Sequence, residues 1–322
     1  MHRNNVFNTG VLHMIAAALD LGSNTLRLLV AEVKGGRWRA LDRGLASPRL
    51  GRDLKSNGSL SERAQKDASV AAAKFNTRAR ELGAQRVVLA ATQACRKAAD
   101  GEMFVARLQK DLGLDWARVI TGAEEAELSR LGVLSRFTGG AAAAAGALLA
   151  DIGGGSTEIM DLGDPDAPVV SLELGAVTLT EAFLLSDPPG RNELEALQAA
   201  VAKGLAPILS GSRGISCQRL VATAGTAATL AALSLGTRVY EPEKINNLEV
   251  TRENLEAQYL RLAAMTLSKR RRELALEPER ADIIVAGLAI LSGLVKGLGL
   301  NSFITMDAGL LEGILLRHAA FS

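Results

Sequence analysis

The sequence predicts an α/β protein built from two lobes, and three observations support this prediction. The chain has 322 residues, which is enough for two domains of roughly 150 residues each. Apolar runs of strand length alternate with helical stretches, as is typical of α/β folds. A motif in the first half, Asp20-Leu-Gly-Ser-Asn-Thr, resembles Asp151-Ile-Gly-Gly-Gly-Ser-Thr in the second half. Because both motifs follow an apolar run and precede another strand, they indicate a weak internal repeat.

The first half opens with a predicted hairpin, in which the polar turn 20–25 joins strands 14–19 and 26–33. Ser61 is the predicted N-cap of a helix that continues to residue 82. The elements predicted after it are strand 86–91, helix 102–112, strand 117–120 and helix 123–135. Thr138-Gly139-Gly140 then breaks the pattern. We therefore expect a first lobe at 14–136, a second lobe at 137–322, and a disordered extension at 1–13.

The second half repeats the opening design, with predicted strands 147–152 and 157–162 around the glycine turn 153–155. The other predicted strands are 169–174, 218–223 and 302–306. The predicted helices are 191–209, 225–235, 252–267, 279–297 and 309–318. We expect the last helix to pack back on the first lobe.

Composition narrows the class of protein. Hydrophobic residues make up 48% and charged residues 22% of the chain, as in ordered globular proteins. The net charge of +2 decides nothing about partners, and the basic run 269–272 is more typical of a solvated helix face than of a polyanion site. We therefore expect no nucleic-acid partner. Two cysteines are too few for a disulfide framework and favour a reducing cytoplasm, and no apolar run is long enough to span a membrane.

Three loops are candidate phosphate sites. Glycine turns let backbone N–H groups converge on an anion, and both the turn 22–24 and the turn 153–155 fit this role. The third loop, Ala222-Thr-Ala-Gly225-Thr226, ends a strand and starts a helix, where the helix N-terminus attracts anions. A plain hairpin turn stays an alternative for 22–24 taken alone.

Carboxylates supply candidate metal ligands and a candidate base. Asp20 and Asp151 hold equivalent places in the two turns and suit Mg²⁺, although either carboxylate could instead bond its own turn backbone. Thr121 and Glu124 match a capping box, so Glu124 has a structural explanation. Glu125 does not, and its carboxylate could take a proton from an attacking water; the alternative is complementarity to the helix dipole.

Arg96, just after the strand 86–91, could clamp a phosphate with its planar guanidinium, or it could be a surface charge. The residues alone leave both alternatives open.

Eight segments together resemble the exopolyphosphatase and guanosine pentaphosphate phosphohydrolase (Ppx/GppA) family over residues 15–317. They are DLGSNTLRLLV, ATQACRKA, TGAEEAELSRLGV, DIGGGSTE, SLELGAVTLTE, AGTAATLAAL, ERADIIVAG and DAGLLEGIL. The resemblance implies two ribonuclease H-like lobes of the actin, Hsp70 and sugar kinase superfamily with a cleft between them. It also implies Mg²⁺-dependent removal of terminal phosphate from inorganic polyphosphate, with Mn²⁺ as an alternative ion and K⁺ as an activator.

The resemblance also implies roles for individual residues. Glu125 matches the catalytic base, Arg96 a substrate-facing arginine, and Glu158 an acidic residue of the cleft that we group with Asp20 and Asp151 as metal ligands. The residues predicted to bind phosphate, with Gly225 and Thr226 from the loop pattern and the others also from the resemblance, are Gly22, Ser23, Asn24, Arg96, Gly153, Gly154, Gly155, Ser156, Gly225 and Thr226.

Three departures from the family pattern stand out: Thr178 and Leu311 replace usual arginines, and Gln93 replaces a usual small hydroxyl residue. The chain also lacks the helical C-terminal extension of longer relatives, so we expect a preference for shorter polyphosphate. Alternatives left open are hydrolysis of guanosine pentaphosphate, a phosphotransferase reaction, and a polyphosphate sensor without turnover. The low aromatic content, 3%, mildly disfavours guanine binding. A homodimer is left open.

Overall fold

The computed structural model describes residues 13–34, 37–52, 54, 58–209, 217–275 and 277–319. Its strands form two mixed sheets. The first has the order β3-β2-β1-β4-β5 and contains β1 (His13–Leu21), β2 (Leu26–Lys34), β3 (Arg37–Ala46), β4 (Arg86–Ala91) and β5 (Trp116–Val119). The second has the order β10-β11-β9-β6-β7-β8 and contains β6 (Ala147–Ile152), β7 (Thr157–Asp161), β8 (Val170–Leu172), β9 (Arg219–Thr223), β10 (Leu248–Thr251) and β11 (Ser302–Thr305).

Helices cover both faces of each sheet. In chain order they are α1 (Glu62–Glu81), α2 (Gln93–Lys97), α3 (Gly101–Leu112), α4 (Gly122–Leu134), α5 (Gly140–Ala143), α6 (Ala176–Phe183), α7 (Arg191–Leu209), α8 (Ala224–Leu235), α9 (Pro242–Ile245), α10 (Arg252–Ala263), α11 (Leu267–Glu273), α12 (Ile284–Gly297) and α13 (Leu310–Ile314). A 3₁₀ turn, Pro278–Arg280, precedes α12, and a π turn, Leu315–Ala319, follows α13. None of the helices in the described ranges has the length and apolar character needed to cross a bilayer.

Alternate side chains of β1 point to the two opposite faces of the first sheet. Ala17, Leu19 and Leu21 point to the face that α1 and α3 cover, whereas Ala16 and Ala18 point to the opposite face. That opposite face packs against α4 and against the end of the chain, α13 and the π turn. The last helical segment therefore lies on the first sheet.

The second sheet is covered in the same way. One face of β6 packs in a core with α7, α10 and α12, and the other face packs against Ala126 and Val133 of α4. Since α4 also contacts the first sheet through Leu128, this helix lies between the two sheets. The N-terminal end of α4, which carries Glu125, is thereby held between the lobes.

Close approach of α4 and α13 depends on glycine. A Cβ on Gly132 would overlap the carbonyl oxygen of Gly309, and a Cβ on Gly313 would overlap the carbonyl oxygen of Leu128. The two backbones are in direct contact, so larger side chains at these positions would force the helices apart.

Most predicted elements are observed, and Ser61 caps α1 as expected, accepting a hydrogen bond from the N–H of Ala64 at 3.3 Å. Strands β3 and β10, helix α6 and the short helices α2, α5, α9 and α11 were not predicted. β3 is a half-exposed edge strand rich in arginine, with a bulge opposite Val30 and Ala31 that interrupts its alternation. The prediction of a helix over 279–297 is wrong at its start, since α12 begins at Ile284.

The predicted extension 1–13 lies outside the described residues, except for His13 at the start of β1. The division between lobes at residues 136 and 137 stays a prediction.

Candidate active site

Two hairpins with matching geometry face each other across the cleft. In each turn the first glycine N–H donates to a carbonyl three residues on: Gly22 to Thr25 and Gly153 to Ser156, both at 2.9 Å. The ladder register places Asp20 opposite Arg27 and Asp151 opposite Glu158. The internal similarity of the sequence thus corresponds to two structurally equivalent turns.

A cavity of about 100 Å³ lies between these hairpins. Most of the predicted site residues line it: Asp20, Ser23, Asn24, Glu125, Asp151, Gly153, Gly154, Gly155, Ser156, Glu158, Gly225 and Thr226. Gly22 and Arg96 lie beside the cavity rather than in its wall. The cavity has room for several water molecules, and its lining of carboxylates, guanidinium groups and backbone N–H groups suits a phosphoryl group and a cation.

Glu125 is held in the first turn of α4. Thr121 and Glu124 form the expected capping box, in which the Glu124 N–H donates to Oγ1 of Thr121 at 3.1 Å and the Thr121 N–H donates to Oε2 of Glu124 at 2.8 Å. This leaves the Glu125 side chain free to face the cavity, with 15% of its surface exposed. Burial, reinforced by the charge of Glu158, raises the pKa of Glu125 to about 8.

Arg96 is the partner of Glu125. Its Nη1 donates to Oε2 of Glu125 at 3.0 Å and to the carbonyl oxygen of Ile120 at 2.7 Å. Its positive charge lowers the pKa of Glu125 and offsets part of the effect of burial. In this geometry Arg96 acts on the carboxylate that is the candidate base.

The remaining carboxylates are also buried. Burial raises the pKa of Asp20 to about 7, and it raises the pKa values of Asp151 and Glu158 as well. Oδ2 of Asp151 accepts a hydrogen bond from Oγ of Ser129 at 2.6 Å, and Oε1 of Glu158 accepts one from Oγ of Ser171 at 2.9 Å. Oδ1 of Asp20 is buried and has no hydrogen-bond partner in the part of the chain that the structure describes.

This donor set fits a hard cation. Magnesium ions in proteins usually take one or two carboxylate ligands, with phosphate oxygens and water completing the shell. The unpaired Oδ1 of Asp20 and the nearby carboxylate of Asp151 could supply these ligands. Within the described ranges, no three acidic, histidine or cysteine side chains are grouped closely enough to hold an ion by themselves. The ligand role of Asp20, Asp151 and Glu158 stays a prediction.

The glycine loop of the second hairpin supplies open backbone donors. Among the described residues, the N–H groups of Gly154 and Gly155 have no hydrogen-bond partner, so they are available to an anion. None of the glycines 153–155 has a positive φ, so they are required for space rather than for backbone conformation. A Cβ on Gly154 would lie 3.2 Å from Cγ2 of Val177.

The first residue of α8 has a strained backbone. Ala224 has a φ of 66°, in the left-handed region that a residue with a Cβ seldom adopts. The next residue, Gly225, packs directly under the guanidinium of Arg280, where any Cβ would overlap Nη1.

Sequence reasoning missed two arginines in the cavity wall, Arg27 and Arg280. Arg27 is largely buried, and its pKa is raised by Tyr240 and by the carboxylates Asp307, Glu312 and Asp20, against the effect of burial. Arg280 pairs with Glu277 at 2.8 Å. The sequence offered one clue to each arginine. Arg27 follows the first turn on the strand that pairs with the strand of Asp20, and Arg280 lies in the ERADIIVAG segment.

The three departures from the family pattern lie in different surroundings. Leu311 is buried against the first sheet beside Ala16 and Ala18. Thr178 lines a second, outer cavity of about 530 Å³ that adjoins the first. Gln93 lines both cavities.

Two mixed sheets, equivalent hairpins and a cleft between them define the class: this is a two-lobed α/β protein. Its sequence matches the Ppx/GppA phosphatase family over residues 29–320, and the chain belongs to that family. Members of the family are in general metal-dependent.

The similarity extends over whole chains. Exopolyphosphatase 2 of Mycobacterium tuberculosis is 32% identical over 316 residues, which cover 94% of this chain and 98% of that protein. The structure of the Aquifex aeolicus member of the family is 27% identical with a TM-score of 0.78, covering 95% of this chain and 97% of the other. The structure of an exopolyphosphatase from Cytophaga hutchinsonii, at 24% identity and a TM-score of 0.81, covers 94% and 96% and agrees in fold.

Proposed function

We propose that this protein is an exopolyphosphatase, which hydrolyses the terminal phosphoanhydride bond of inorganic polyphosphate and releases orthophosphate. Family membership and the 32% identity to Exopolyphosphatase 2 support this proposal. The observation that carries it is the position of Glu125, a buried carboxylate of raised pKa in a small cavity that the two hairpin turns and the start of α8 also line.

Different residues of the cavity would bind the substrate and activate the water. The free N–H groups of Gly154 and Gly155 and the guanidinium groups of Arg27 and Arg280 would bind the oxygens of the terminal phosphates. Glu125 would orient a water molecule and accept its proton as that water attacks the terminal phosphorus in line. Catalysis of this kind consists mainly of positioning and electrostatic stabilisation.

We further propose Mg²⁺ as the ion, held by Asp20 and Asp151 with Glu158 at the edge of the site. When bound, the ion would offset the negative charge that phosphate oxygens bring into the cavity. Ser129 would orient Asp151 through the hydrogen bond to Oδ2.

A preference for shorter chains follows from the charge of the outer cavity. In its described wall, Lys97 is the one cation and Glu181 the one anion, and Lys97 already lies 3.6 Å from Glu173. A long polyanion would therefore gain little electrostatic attraction beyond its first few phosphates. The described wall also has no aromatic side chain to stack on guanine, which favours polyphosphate over guanosine pentaphosphate.

The test is phosphate release from tripolyphosphate, long polyphosphate and guanosine pentaphosphate with Mg²⁺. Removal of a general base is expected to lower kcat by about 10²–10⁴-fold in Glu125→Gln. Glu124→Gln is the matched control, since glutamine still completes a capping box and Glu124 lies outside the cavity wall. Binding of polyphosphate without release from any substrate would overturn the proposal and support the sensor alternative.

A further inference from the structure

Four residues frame the passage between the inner and the outer cavity. Ser23 belongs to the first hairpin, Gly154 and Gly155 belong to the second, and Gln93 is the first residue of α2; all four line both cavities. The inner cavity holds about 100 Å³ and the outer about 530 Å³. Three of these residues are small, so the side chain of Gln93 decides how wide the passage is.

The amide of Gln93 reaches across the cleft. A Cβ built on Gly155 would overlap Oε1 of Gln93, and it would lie 2.5 Å from Cδ and 3.1 Å from Nε2. The side chain of a first-lobe residue therefore rests against the glycine loop of the second lobe. A serine or threonine at position 93, the residue type that the family pattern favours, has too few atoms to make this contact.

We propose that Gln93 is a specificity-determining residue, whose side chain narrows the passage so that only an unsubstituted phosphate chain enters the inner cavity easily. The inference rests on the proposed function. A linear polyphosphate presents the same slender profile along its length. A nucleoside polyphosphate carries a sugar and base close behind its phosphates, and these must approach the passage when the terminal phosphoryl group reaches Glu125.

The first test measures discrimination between substrates. For each variant, kcat/KM is determined with tripolyphosphate and with guanosine pentaphosphate, and their ratio is the readout. Gln93→Ser is expected to shift the ratio toward guanosine pentaphosphate by at least about fivefold, and Gln93→Asn, with a shorter amide, by less. The matched control is Gln85→Ser, because Gln85 is exposed and lies outside both cavities. An unchanged ratio in Gln93→Ser, or a shift toward tripolyphosphate, would overturn the proposal.

A second test examines the contact without using activity. Gly155→Ala places a Cβ against the Gln93 amide, which is the far end of a flexible side chain and can swing aside, so Tm is expected to fall by only about 1–2 °C. In the Gln93→Ser background the same change should lower Tm by much less, because the space is free. Equal losses in both backgrounds would show that the two residues do not touch, which contradicts the proposed narrowing.

The two proposals can fail separately. If the wild-type protein releases phosphate from tripolyphosphate in a Glu125-dependent manner but the Gln93→Ser ratio is unchanged, the inference about Gln93 is wrong and the proposed function stands. If the wild-type protein releases no phosphate from either substrate, both proposals are wrong.

Discussion

The pairing of Arg96 with Glu125 leads to a quantitative prediction for Arg96→Gln. Nη1 of Arg96 lies 3.0 Å from Oε2 of Glu125, and the two side chains are 28% and 15% exposed. The substitution keeps a polar side chain of similar length but removes the positive charge. Without that charge, the pKa of Glu125 should rise above its value of about 8.

The size of the change follows from the distance. Two unit charges about 4 Å apart, at an effective dielectric constant of about 20, interact by about 4 kcal/mol, which is close to three pKa units. Arg96 is 28% exposed, and screening by water reduces the expected shift to about one or two units. The pKa of Glu125 in the variant is then about 9 to 10.

The sign of the effect on activity is fixed by the role of the base, which works only when deprotonated. Activity should therefore rise with pH through the pKa of Glu125, which burial raises to about 8. In Arg96→Gln the rising part of the pH–activity profile should shift to higher pH by one to two units. At pH 7, kcat/KM should therefore fall about 10- to 100-fold.

The assay is kcat and KM for tripolyphosphate between pH 6 and 10. Saturating Mg²⁺ keeps the candidate metal ligands, whose pKa values are also raised, from titrating over the same range. Arg118→Gln is the control, because it removes an arginine that lies 3.6 Å from Glu124 in an exposed pair. This substitution should not change the pH range over which activity rises. If KM rises tenfold or more in Arg96→Gln while activity rises over the same pH range as in the wild type, Arg96 binds phosphate and does not control the pKa of Glu125.

Two further predictions concern supporting contacts. Ser129→Ala removes the 2.6 Å hydrogen bond to Asp151, so the Mg²⁺ concentration for half-maximal activity should rise about tenfold or more in a titration of activity against Mg²⁺. A loss confined to kcat at saturating Mg²⁺ would contradict this role. Gly313→Ala should lower Tm by about 5 °C in a thermal scan, because its Cβ would overlap the Leu128 carbonyl, whereas Gly190→Ala, whose nearest neighbours are 3.8 Å away, should not. Equal effects of the two glycine substitutions would show that the contact of α4 with α13 is not tight.

Local patterns explain which parts of the fold and site were predictable. The two aspartate hairpins were predictable because apolar runs end at a polar turn. The capping box explained Glu124 as structural, which made the neighbouring Glu125 the candidate base. Both signals lie within a few residues of sequence.

Features that depend on distant contacts were not predictable. Arg27 becomes a cavity residue only because β1 and β2 pair in a register that sets it opposite Asp20. Helix α6 contains β-branched Val177 and Thr178, which disfavour a helix, yet the N–H of Val177 donates to the carbonyl of Gly154 at 2.8 Å and so fixes the first turn. Arg96 was predicted to meet substrate, and its contact with Glu125 depends on how α4 packs against the first sheet.

The position of the chain's last helical segment has a consequence for biosynthesis. Residues 311–315 cover much of the face of the first sheet formed by Ala16, Ala18 and Val88, and until they are translated this face is covered only in part, by Leu128 of α4. The 200 residues between Val119 and Ala319 take about 10 to 40 s to synthesise at roughly 5–20 residues per second. During that interval the nascent first lobe exposes an apolar surface on the ribosome, which is the kind of surface that holding chaperones bind. A truncation before residue 310 would leave the same surface permanently uncovered, and such a product should aggregate rather than accumulate as a separate domain.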